Sequence, residues 1–426
     1  MSRLRELGNL EKFNATKNFL GMDTCITMSA RYTTAEATPL TKEILFPAIQ
    51  AVIEAHPMLG VRFDGRLDSP DIAFFRLPSI DLSRVVTFSQ SDDLQGALEK
   101  WFTQRFEGGE EDMPLWRVEV LSDNTVIFAM HHGMGDGHST VVFHQSLFRA
   151  LQQPSYPPCD SAVVVPNDGP LLPALETAID VRLSFWKILS VLYHALMPRP
   201  WNRGTYAWTG NFIPPTATLN TRRPINSSRI ARSHDATISS ALYELTVNTL
   251  SRVIARHPAP VRYKTIAMSF PVSMRSIAGP DASPDVICYY ASSYIGFPAL
   301  RANFSWSNAA QIAVALREEK HKIRETEMGT LAWVVNQYPR IFNGMLGTKR
   351  REGVRISNPG RFVAPSVEGK WHVGNVFFGQ CDSILGPAMA MSESISVLSW
   401  GEGNMDEAFV GDFIETFREG FLGVLA

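Results

Sequence analysis

The chain has 426 residues, of which 45% are hydrophobic and 10% are aromatic. This composition is typical of a globular protein with a large core and is too apolar for a disordered chain. The formal net charge of −2, from 40 basic and 42 acidic residues, gives no electrostatic sign of nucleic-acid binding.

Secondary structure is predicted along most of the chain. Apolar side chains at helical spacing predict helices at 40–55, 94–106, 139–151, 238–256, 309–326 and 405–424. Alternating or continuous apolar runs predict strands at 61–63, 72–77, 116–121, 126–131, 263–270, 287–297, 371–379 and 389–400. The polar turn between 121 and 126 favours a hairpin. Because strands and helices mix without strict alternation, we predict an α+β fold rather than a doubly wound sheet.

The middle of the chain differs in composition from both sides. Residues 154–236 combine proline-rich pieces with a polar, basic run at 221–233. Such a segment is typical of a connection between compact units. We therefore predict an N-terminal lobe at 1–165, a crossover at 166–236 and a C-terminal lobe at 237–426.

One apolar stretch lies within this crossover, at 183–197, interrupted by Lys187 and His194. It is shorter than the roughly 18 apolar residues of a membrane span. Its spacing predicts an amphipathic helix, and we expect that helix to pack inside the protein. A surface helix that rests on a membrane is the alternative. Peripheral membrane contact through 183–197 is therefore not the favoured prediction.

The cysteines and the N-terminus indicate the compartment. Cys25, Cys159, Cys288 and Cys381 are far apart and have no paired spacing. We expect reduced thiols in a cytoplasmic protein, with neither a disulfide framework nor a metal site. Residues 1–13 lack the apolar run of a signal peptide.

The most informative segment follows the strand predicted at 126–131. It reads His131-His132-Gly133-Met134-Gly135-Asp136-Gly137 and leads into a helix. Adjacent strand residues point to opposite faces, so only one of the two histidines is expected to face a given cavity. Three glycines predict a tight turn with backbone conformations that other residues resist. This turn can bring Asp136 back beneath the strand end.

Each of these residues alone has a simpler explanation. A lone histidine is usually a hydrogen-bonded core residue, and an aspartate before a helix is usually its cap. The combination HHxxxDG at a strand-to-helix turn is rare by chance at this composition. It therefore favours a functional site.

The segment matches the HHxxxDG signature of the CoA-dependent acyltransferase superfamily. That superfamily includes the plant BAHD acyltransferases, chloramphenicol acetyltransferase and the condensation domains of peptide synthetases. The chain resembles most the fungal alcohol acetyltransferase family. Weaker motifs similar to that family's occur in the expected order, at 5–13, Ala55-His56-Pro57-Met58-Leu59, Pro114-Leu115-Trp116-Arg117, Ser273-Met274-Arg275 and Ser357-Asn358-Pro359-Gly360. The DFGWG segment of the BAHD enzymes is absent from the sequence.

The resemblance implies two chloramphenicol-acetyltransferase-like lobes with mixed sheets and a central tunnel between them. By position in the motif, it implies that His132 is the general base. It also implies that Asp136, Gly137 and His131 are structural residues of the site. An arginine commonly pairs with that aspartate in the superfamily, and Arg275 is the candidate here, with CoA binding as its alternative role.

Acyl transfer to a hydroxyl requires a base, because an alcohol is a poor nucleophile and a neutral imidazole can accept its proton. The oxyanion that forms requires donors in a dry site. Ser357 and Asn358 are the candidates, with a plain turn as the alternative. Lys264 and Arg361 are candidates for contacts with CoA phosphates, as is the basic run at 222–232.

We therefore predict a monomeric CoA-dependent O-acyltransferase without a permanent cofactor or metal. It moves a short acyl group, with acetyl preferred, from acyl-CoA to a hydroxyl of an alcohol or an apolar natural product. No covalent acyl-enzyme is required. A CoA-independent cyclase or isomerase on the same fold is one alternative. A free-standing, condensation-type enzyme that forms amides and is loaded by a carrier protein is the other.

Overall fold

The computed structural model describes residues 1–64, 72–106, 112–153, 162–196, 203–216, 225–226, 237–257, 262–279, 285–319, 321–322, 328–360, 362–380, 383–392, 397–401 and 403–425. The helices are α1 (Asn9–Phe19), α2 (Lys42–Ala55), α3 (Leu82–Val85), α4 (Leu94–Thr103), α5 (Gly137–Leu151), α6 (Leu175–Ala178), α7 (Phe185–Leu196), α8 (Ile238–Arg256), α9 (Trp306–Glu319), α10 (Met328–Val334), α11 (Tyr338–Met345) and α12 (Glu407–Leu425). The strands are β1 (Ser2–Glu6), β2 (Cys25–Thr33), β3 (Val61–Asp64), β4 (Ala73–Arg76), β5 (Ile80–Asp81), β6 (Val86–Phe88), β7 (Trp116–Val120), β8 (Thr125–His131), β9 (Val163–Val164), β10 (Ala207–Trp208), β11 (Ile225–Asn226), β12 (Thr265–Ile266), β13 (Met268–Ser273), β14 (Ala291–Gly296), β15 (Val354–Ser357), β16 (His372–Gln380), β17 (Met389–Ser392) and β18 (Val397–Trp400).

The first large sheet has the strand order β16-β2-β8-β7-β6 in the described residues. β8 pairs antiparallel with β2 and with β7, which confirms the predicted hairpin, and Cys25 lies opposite His131. β16 comes from the C-terminal part of the chain and pairs antiparallel with β2. A strand from beyond residue 370 therefore covers an edge of the N-terminal sheet that would otherwise present unpaired backbone groups.

β8 is the middle strand of this sheet, and it ends at His131, the first histidine of the motif. Every residue of β8 is buried, because helices cover both faces of the sheet. Phe128 and Met130 pack in the main core with α2 and α5, and Ile127 and Ala129 pack against α4. A strand buried on both faces requires a continuous apolar run, which is what 126–130 provides.

The second large sheet has the order β11-β18-β17-β15-β13-β14. β15 pairs parallel with β13 and β17, whereas β14 and β18 pair antiparallel with their neighbours. Residues of α8 and α12, such as Leu245 and Phe413, pack in the core of this sheet. Mixed sheets with covering helices confirm the predicted α+β class. The lobe boundaries at 165 and 236 stay a prediction.

Some element predictions require correction. The single strand predicted at 389–400 is two antiparallel strands, β17 and β18. The elements before residue 40, namely β1, α1 and β2, have no counterpart among the predicted helices and strands. α1 is unusual because many of its polar residues, Lys17 and Asn18 among them, are buried. A polar helix lacks the apolar stripe that signals burial in a sequence.

The prediction that the segment at 183–197 packs inside the protein is wrong. α7 does form there, but Phe185 and Trp186 are 66% and 76% exposed. Within the described part of the chain, no helix is long and apolar enough to cross a membrane.

Candidate active site

A cavity of about 1460 Å³ is lined by residues from both halves of the chain. His132 and His138 line it from the N-terminal half, and Tyr289, Arg355 and Gln380 line it from the C-terminal half. The HHxxxDG motif therefore meets residues that lie more than a hundred positions away. His131 is not among the residues that line this cavity.

His132 stands immediately after β8. Its Nδ1 lies 3.0 Å from the backbone carbonyl oxygen of Gly135. A carbonyl oxygen can only accept a hydrogen bond, so Nδ1 carries the proton and Nε2 keeps its lone pair. No described residue makes a hydrogen bond to Nε2. His132 thus has an available basic nitrogen at the cavity.

The charge of His132 is set mainly by burial, which lowers its pKa from the ordinary value. Asp23 opposes this shift, whereas Lys17 and Arg355 add to it. Lys17 and Asp23 form a buried ion pair with 2.7 Å between Nζ and Oδ2, and Arg355 pairs with Glu352. Because each pair combines opposite charges, burial dominates, and the imidazole is neutral near pH 7.

His131 has a different environment. It is 3% exposed, and its Nδ1 accepts a 2.8 Å hydrogen bond from the backbone N–H of Gly133. Its ring packs edge-on to Phe63, with 4.9 Å between centroids. Burial lowers the pKa of His131 to about 3, so this ring is also neutral. Its contacts are with the loop and the core.

The glycines of the motif act through close packing. None of the three has a positive φ, so the expectation of backbone conformations that other residues resist is wrong. A Cβ on Gly135 would instead lie 2.6 Å from Cε of Met130 and 2.8 Å from Oγ of Ser139. A Cβ on Gly133 would lie 3.1 Å from the backbone oxygen of Glu11. The loop is compact because no side chain separates it from its neighbours.

Asp136 caps α5 and ties its start to the C-terminal half. Its Oδ1 accepts hydrogen bonds of 3.1 Å from both the N–H and the hydroxyl of Ser139. Its Oδ2 accepts a 3.0 Å hydrogen bond from the backbone N–H of Tyr290. Its own N–H donates to the carbonyl oxygen of Cys288. Its carboxylate is 4% exposed and points into this network.

Arg275 completes the network. Its Nη2 lies 2.7 Å from Oδ1 of Asp136, and its side chain is 5% exposed. Its Nη1 donates to the carbonyl oxygen of Val286 and to Sγ of Cys288. Burial alone would raise the pKa of Asp136, but the Arg275 charge reverses that effect and lowers it. Two roles were predicted for Arg275, pairing with Asp136 and binding of CoA. In the structure Arg275 forms the ion pair with Asp136.

Tyr289 lies beside the candidate base. Its ring centroid is 5.3 Å from that of His132, and the two planes are tilted by 48°. Burial raises the pKa of Tyr289 to about 12, so its hydroxyl keeps its proton at neutral pH. No local sequence pattern distinguishes this tyrosine from its neighbour Tyr290.

The turn at 357–360 also borders the cavity. Ser357 is 4% exposed and donates its hydroxyl proton to Oε1 of Gln380, at 3.0 Å. Asn358 donates to Oγ of Ser239 and accepts from the N–H of Gly360. These two side chains are therefore directed at protein atoms. Nε2 of Gln380, which has no hydrogen bond among the described residues, is a donor that the sequence did not reveal.

The residues predicted to contact CoA phosphates do not gather at the cavity in the described part of the chain. Lys264 does not line the cavity, and its ammonium lies 5.0 Å from the ring centroid of Tyr206. Arg361 and most of the basic run at 222–232 lie outside the described residues. Lys187 and Arg351 do line the cavity. The described residues contain no group of three or more His, Cys, Asp or Glu that could hold a metal ion.

Comparisons with known sequences agree with the motif. A family model for alcohol acetyltransferases matches residues 87–206. A probable alcohol acetyltransferase of Fusarium pseudograminearum is 25% identical over 87% of this chain and 83% of its own length. One of Aspergillus fumigatus is 23% identical over 95% of this chain and 96% of its own length. An uncharacterised protein of Schizosaccharomyces pombe is 31% identical over 44% of this chain, and the match spans only 41% of that protein.

Solved structures share the fold at low identity. The starter condensation domain of rhizomide synthetase, in complex with C8-CoA, has a TM-score of 0.63 at 12% identity, over 100% of this chain and 94% of that one. The trichothecene 15-O-acetyltransferase of Fusarium sporotrichioides has a TM-score of 0.62 at 14% identity, over 99% and 95%. The resemblance in sequence and fold is thus confirmed. The family model and the relatives support an acyltransferase of the alcohol acetyltransferase type.

Proposed function

We propose that this chain, which resembles the fungal alcohol acetyltransferases in sequence and fold, transfers a short acyl group from acyl-CoA to a hydroxyl. Acetyl is the preferred acyl group, and the acceptor is an alcohol or an apolar natural product. One observation carries the proposal. The hydrogen bond from Nδ1 of His132 to Gly135 leaves Nε2 unprotonated at the wall of a large cavity.

In the proposed reaction, Nε2 of His132 accepts the proton of the acceptor hydroxyl as its oxygen attacks the thioester carbonyl carbon. A C–O bond forms, and the carbonyl electron pair moves to its oxygen. The tetrahedral intermediate then collapses, the C–S bond breaks, and His132 returns the proton to the departing thiolate. The products are an ester and free CoA, and His132 ends in its starting state.

Stabilisation of the oxyanion requires a donor at the cavity wall. We assign this role to Nε2 of Gln380, because Ser357 uses its only hydroxyl proton on the Oε1 of that residue. Ser357 then orients Gln380. Tyr289, whose hydroxyl stays protonated and whose ring lies next to His132, shapes the adjacent wall.

We propose that the cavity holds both substrates, the acceptor and the acyl donor, next to His132. Apolar side chains that line it include Phe270, Met328, Leu331, Phe342 and Leu385, which suits an apolar acceptor. A condensation domain of the same fold was solved with C8-CoA, which favours an acyl-CoA donor here. No cysteine of the described residues lines the cavity, so direct transfer without an acyl-enzyme is the simpler route.

We also place the protein in the cytoplasm. Cys288 is a buried free thiol, as expected for a reducing compartment. Burial raises the pKa of Cys288 to about 12, which keeps this thiol protonated and unreactive.

The direct test is turnover with purified protein, acetyl-CoA and a panel of alcohols of increasing size and apolarity. Release of free CoA is measured with a thiol reagent, and the ester is identified by mass spectrometry. We expect CoA release that depends on the acceptor and is lost in His132→Ala. Acceptor conversion without CoA consumption would contradict acyl transfer and favour the cyclase or isomerase alternative.

A further inference from the structure

Arg355 places a positive charge at the wall of the cavity. Its neighbours on β15, Val354 and Ile356, pack in the core of the second sheet. Because side chains alternate along a strand, Arg355 and Ser357 point to the opposite face, and both line the cavity. Arg355 is therefore directed at the same space as the serine that donates to Gln380.

The guanidinium of Arg355 keeps one nitrogen for a further hydrogen bond. Its Nε donates to Oγ of Ser269 at 3.2 Å, and its Nη2 donates to Oε1 of Glu352. No described residue accepts a hydrogen bond from Nη1, and Nη1 is not among the buried polar atoms without a partner. Since the side chain is 26% exposed and lines the cavity, the Nη1 donors are available to a molecule bound there.

The charges around Arg355 indicate what this donor can bind. Glu352, whose side chain is 9% exposed, pairs with the guanidinium. Burial alone would lower the pKa of Arg355, but the Glu352 charge reverses that effect and raises it. A ligand carboxylate at Nη1 would also meet the negative charge of Glu352, which disfavours it. A neutral oxygen of a ketone, an ether or a hydroxyl needs no countercharge and can accept from the charged donor.

Arg355 also lies close to the reacting groups. Burial is the main cause that lowers the pKa of His132, and the Arg355 charge adds to it. The same charge acts on Tyr289. Along β15, Arg355 and Ser357 are two residues apart, which is roughly 7 Å. An oxygen bound to Nη1 would thus lie within a few bonds of a hydroxyl held at His132.

We propose that Arg355 determines acceptor specificity, by donating from Nη1 to a neutral oxygen that lies a few bonds from the hydroxyl to be acylated. This inference rests on the proposed acyl transfer. The acceptor class is then a hydroxy ketone, a hydroxy ether or a polyol rather than a plain apolar alcohol. The apolar side chains of the cavity hold its carbon skeleton, and two polar contacts, at Arg355 and His132, fix its orientation.

The experiment compares acceptors that differ in one oxygen. The pairs are cyclohexanol with 3-hydroxycyclohexanone, and decan-4-ol with 4-hydroxydecan-2-one. Each is assayed with acetyl-CoA at about pH 8, where His132 is neutral. Release of CoA gives kcat/KM, and mass spectrometry identifies the ester. We expect the parent to favour the hydroxy ketone of a pair roughly tenfold or more, the usual effect of a hydrogen bond to a charged group.

Two variants test whether Arg355 causes this preference. Arg355→Met combined with Glu352→Gln removes both charges, so that neither is left buried and unpaired. Arg355→Lys keeps the charge beside Glu352 but loses the guanidinium fork. Both should reduce the preference, and the double variant should reduce it roughly tenfold.

The matched control is Arg301→Met combined with Glu244→Gln. This is a second arginine–glutamate pair, in which the arginine is 28% exposed and the glutamate is buried, and neither residue lines the cavity. The control should leave the preference unchanged. Thermal unfolding accompanies each variant. If the double variant did not fold, Arg355→Lys would still decide.

The assignment of Arg355 is overturned by a parent without the preference, or by a folded Arg355 variant that keeps it. A loss of equal size with both members of a pair would also overturn it, because a residue that serves only the fold or the oxyanion affects every acceptor alike. These outcomes leave acyl transfer in place. A parent that releases no CoA with any alcohol would instead contradict the proposed function itself.

Discussion

Arg275 and Asp136 are 139 positions apart in the sequence and are joined by a buried 2.7 Å hydrogen bond between opposite charges. Asp136 begins the helix that follows the two histidines, and Arg275 follows β13 of the second sheet. The pair therefore fixes the motif loop to the C-terminal half. It also gives each buried charge the partner that burial requires.

The first prediction tests this connection. Asp136→Asn should lower the free energy of unfolding by about 3–5 kcal/mol, because it leaves the buried Arg275 charge without its partner. Turnover should fall as the loop loses its attachment. The matched control is Asp93→Asn, which changes another helix-capping aspartate that accepts from a backbone N–H and is exposed. An equal loss in both variants, measured by chemical denaturation, would contradict the importance of the ion pair.

The second prediction separates the two histidines. His132→Ala should lower kcat by a factor on the order of 10² or more, the usual effect of removing a general base, with an unchanged circular dichroism spectrum. His131→Ala should instead lower the melting temperature, because the Gly133 N–H loses its acceptor and Phe63 its packing. A folded His132→Ala protein that turns over at the parent rate would refute the mechanism.

The third prediction concerns pH. Only the neutral form of His132 can accept a proton, so kcat/KM should be constant above its pKa and fall below it. Burial lowers that pKa, so the midpoint should lie below the ordinary value of 6.5. Lys17→Gln should move the midpoint upward, because the Lys17 charge contributes to the lowering. An acid limb centred above 6.5 in the parent would exclude this assignment.

The fourth prediction concerns the motif glycines. Gly135→Ala should destabilise the protein by about 1–3 kcal/mol, because the new methyl group overlaps Met130 and Ser139. Turnover should also fall, since the Gly135 carbonyl holds Nδ1 of His132. The control, Gly411→Ala in α12, adds a methyl group with no atom within 4 Å and should be neutral or stabilising by about 1 kcal/mol. Denaturant unfolding of both variants distinguishes the two cases.

Local signals in the sequence predicted much of the fold. α8 begins and ends where its pattern predicts, because Thr237 and Ser240 form a capping box at its start. α1 was not predicted, since its buried polar residues find partners that no periodicity reveals, such as Asp23 for Lys17. The inverted face of α7 was also missed, because an apolar stripe in a sequence does not show which side it faces.

The candidate site divides in the same way. His132 and Asp136 lie within one motif, so the sequence alone makes them conspicuous. Tyr289, Arg355 and Gln380 come from separate elements of the C-terminal half and meet His132 only in the folded chain. Nothing in their immediate sequence surroundings marks them, because their positions depend on pairing between distant strands.

The last prediction concerns the acyl donor. CoA carries several phosphate charges on a long, nearly neutral arm, so its binding requires cations near the mouth of a cavity that reaches the base. Arg351 is exposed and lines the cavity, whereas Lys264 does not line it. We expect CoA to bind, with affinity that falls as salt rises because phosphate contacts are screened. Arg351→Ala should raise the KM for acetyl-CoA roughly two- to fivefold, as for an exposed ion pair, with little change in kcat. Lys264→Ala is the control and should leave KM unchanged.

Calorimetry at low and high salt gives the affinity, and initial rates give KM. If Lys264→Ala raised KM and Arg351→Ala did not, CoA would have to enter at another place. If millimolar CoA gave no heat, the donor would not be acyl-CoA, and His132 would serve a reaction without it.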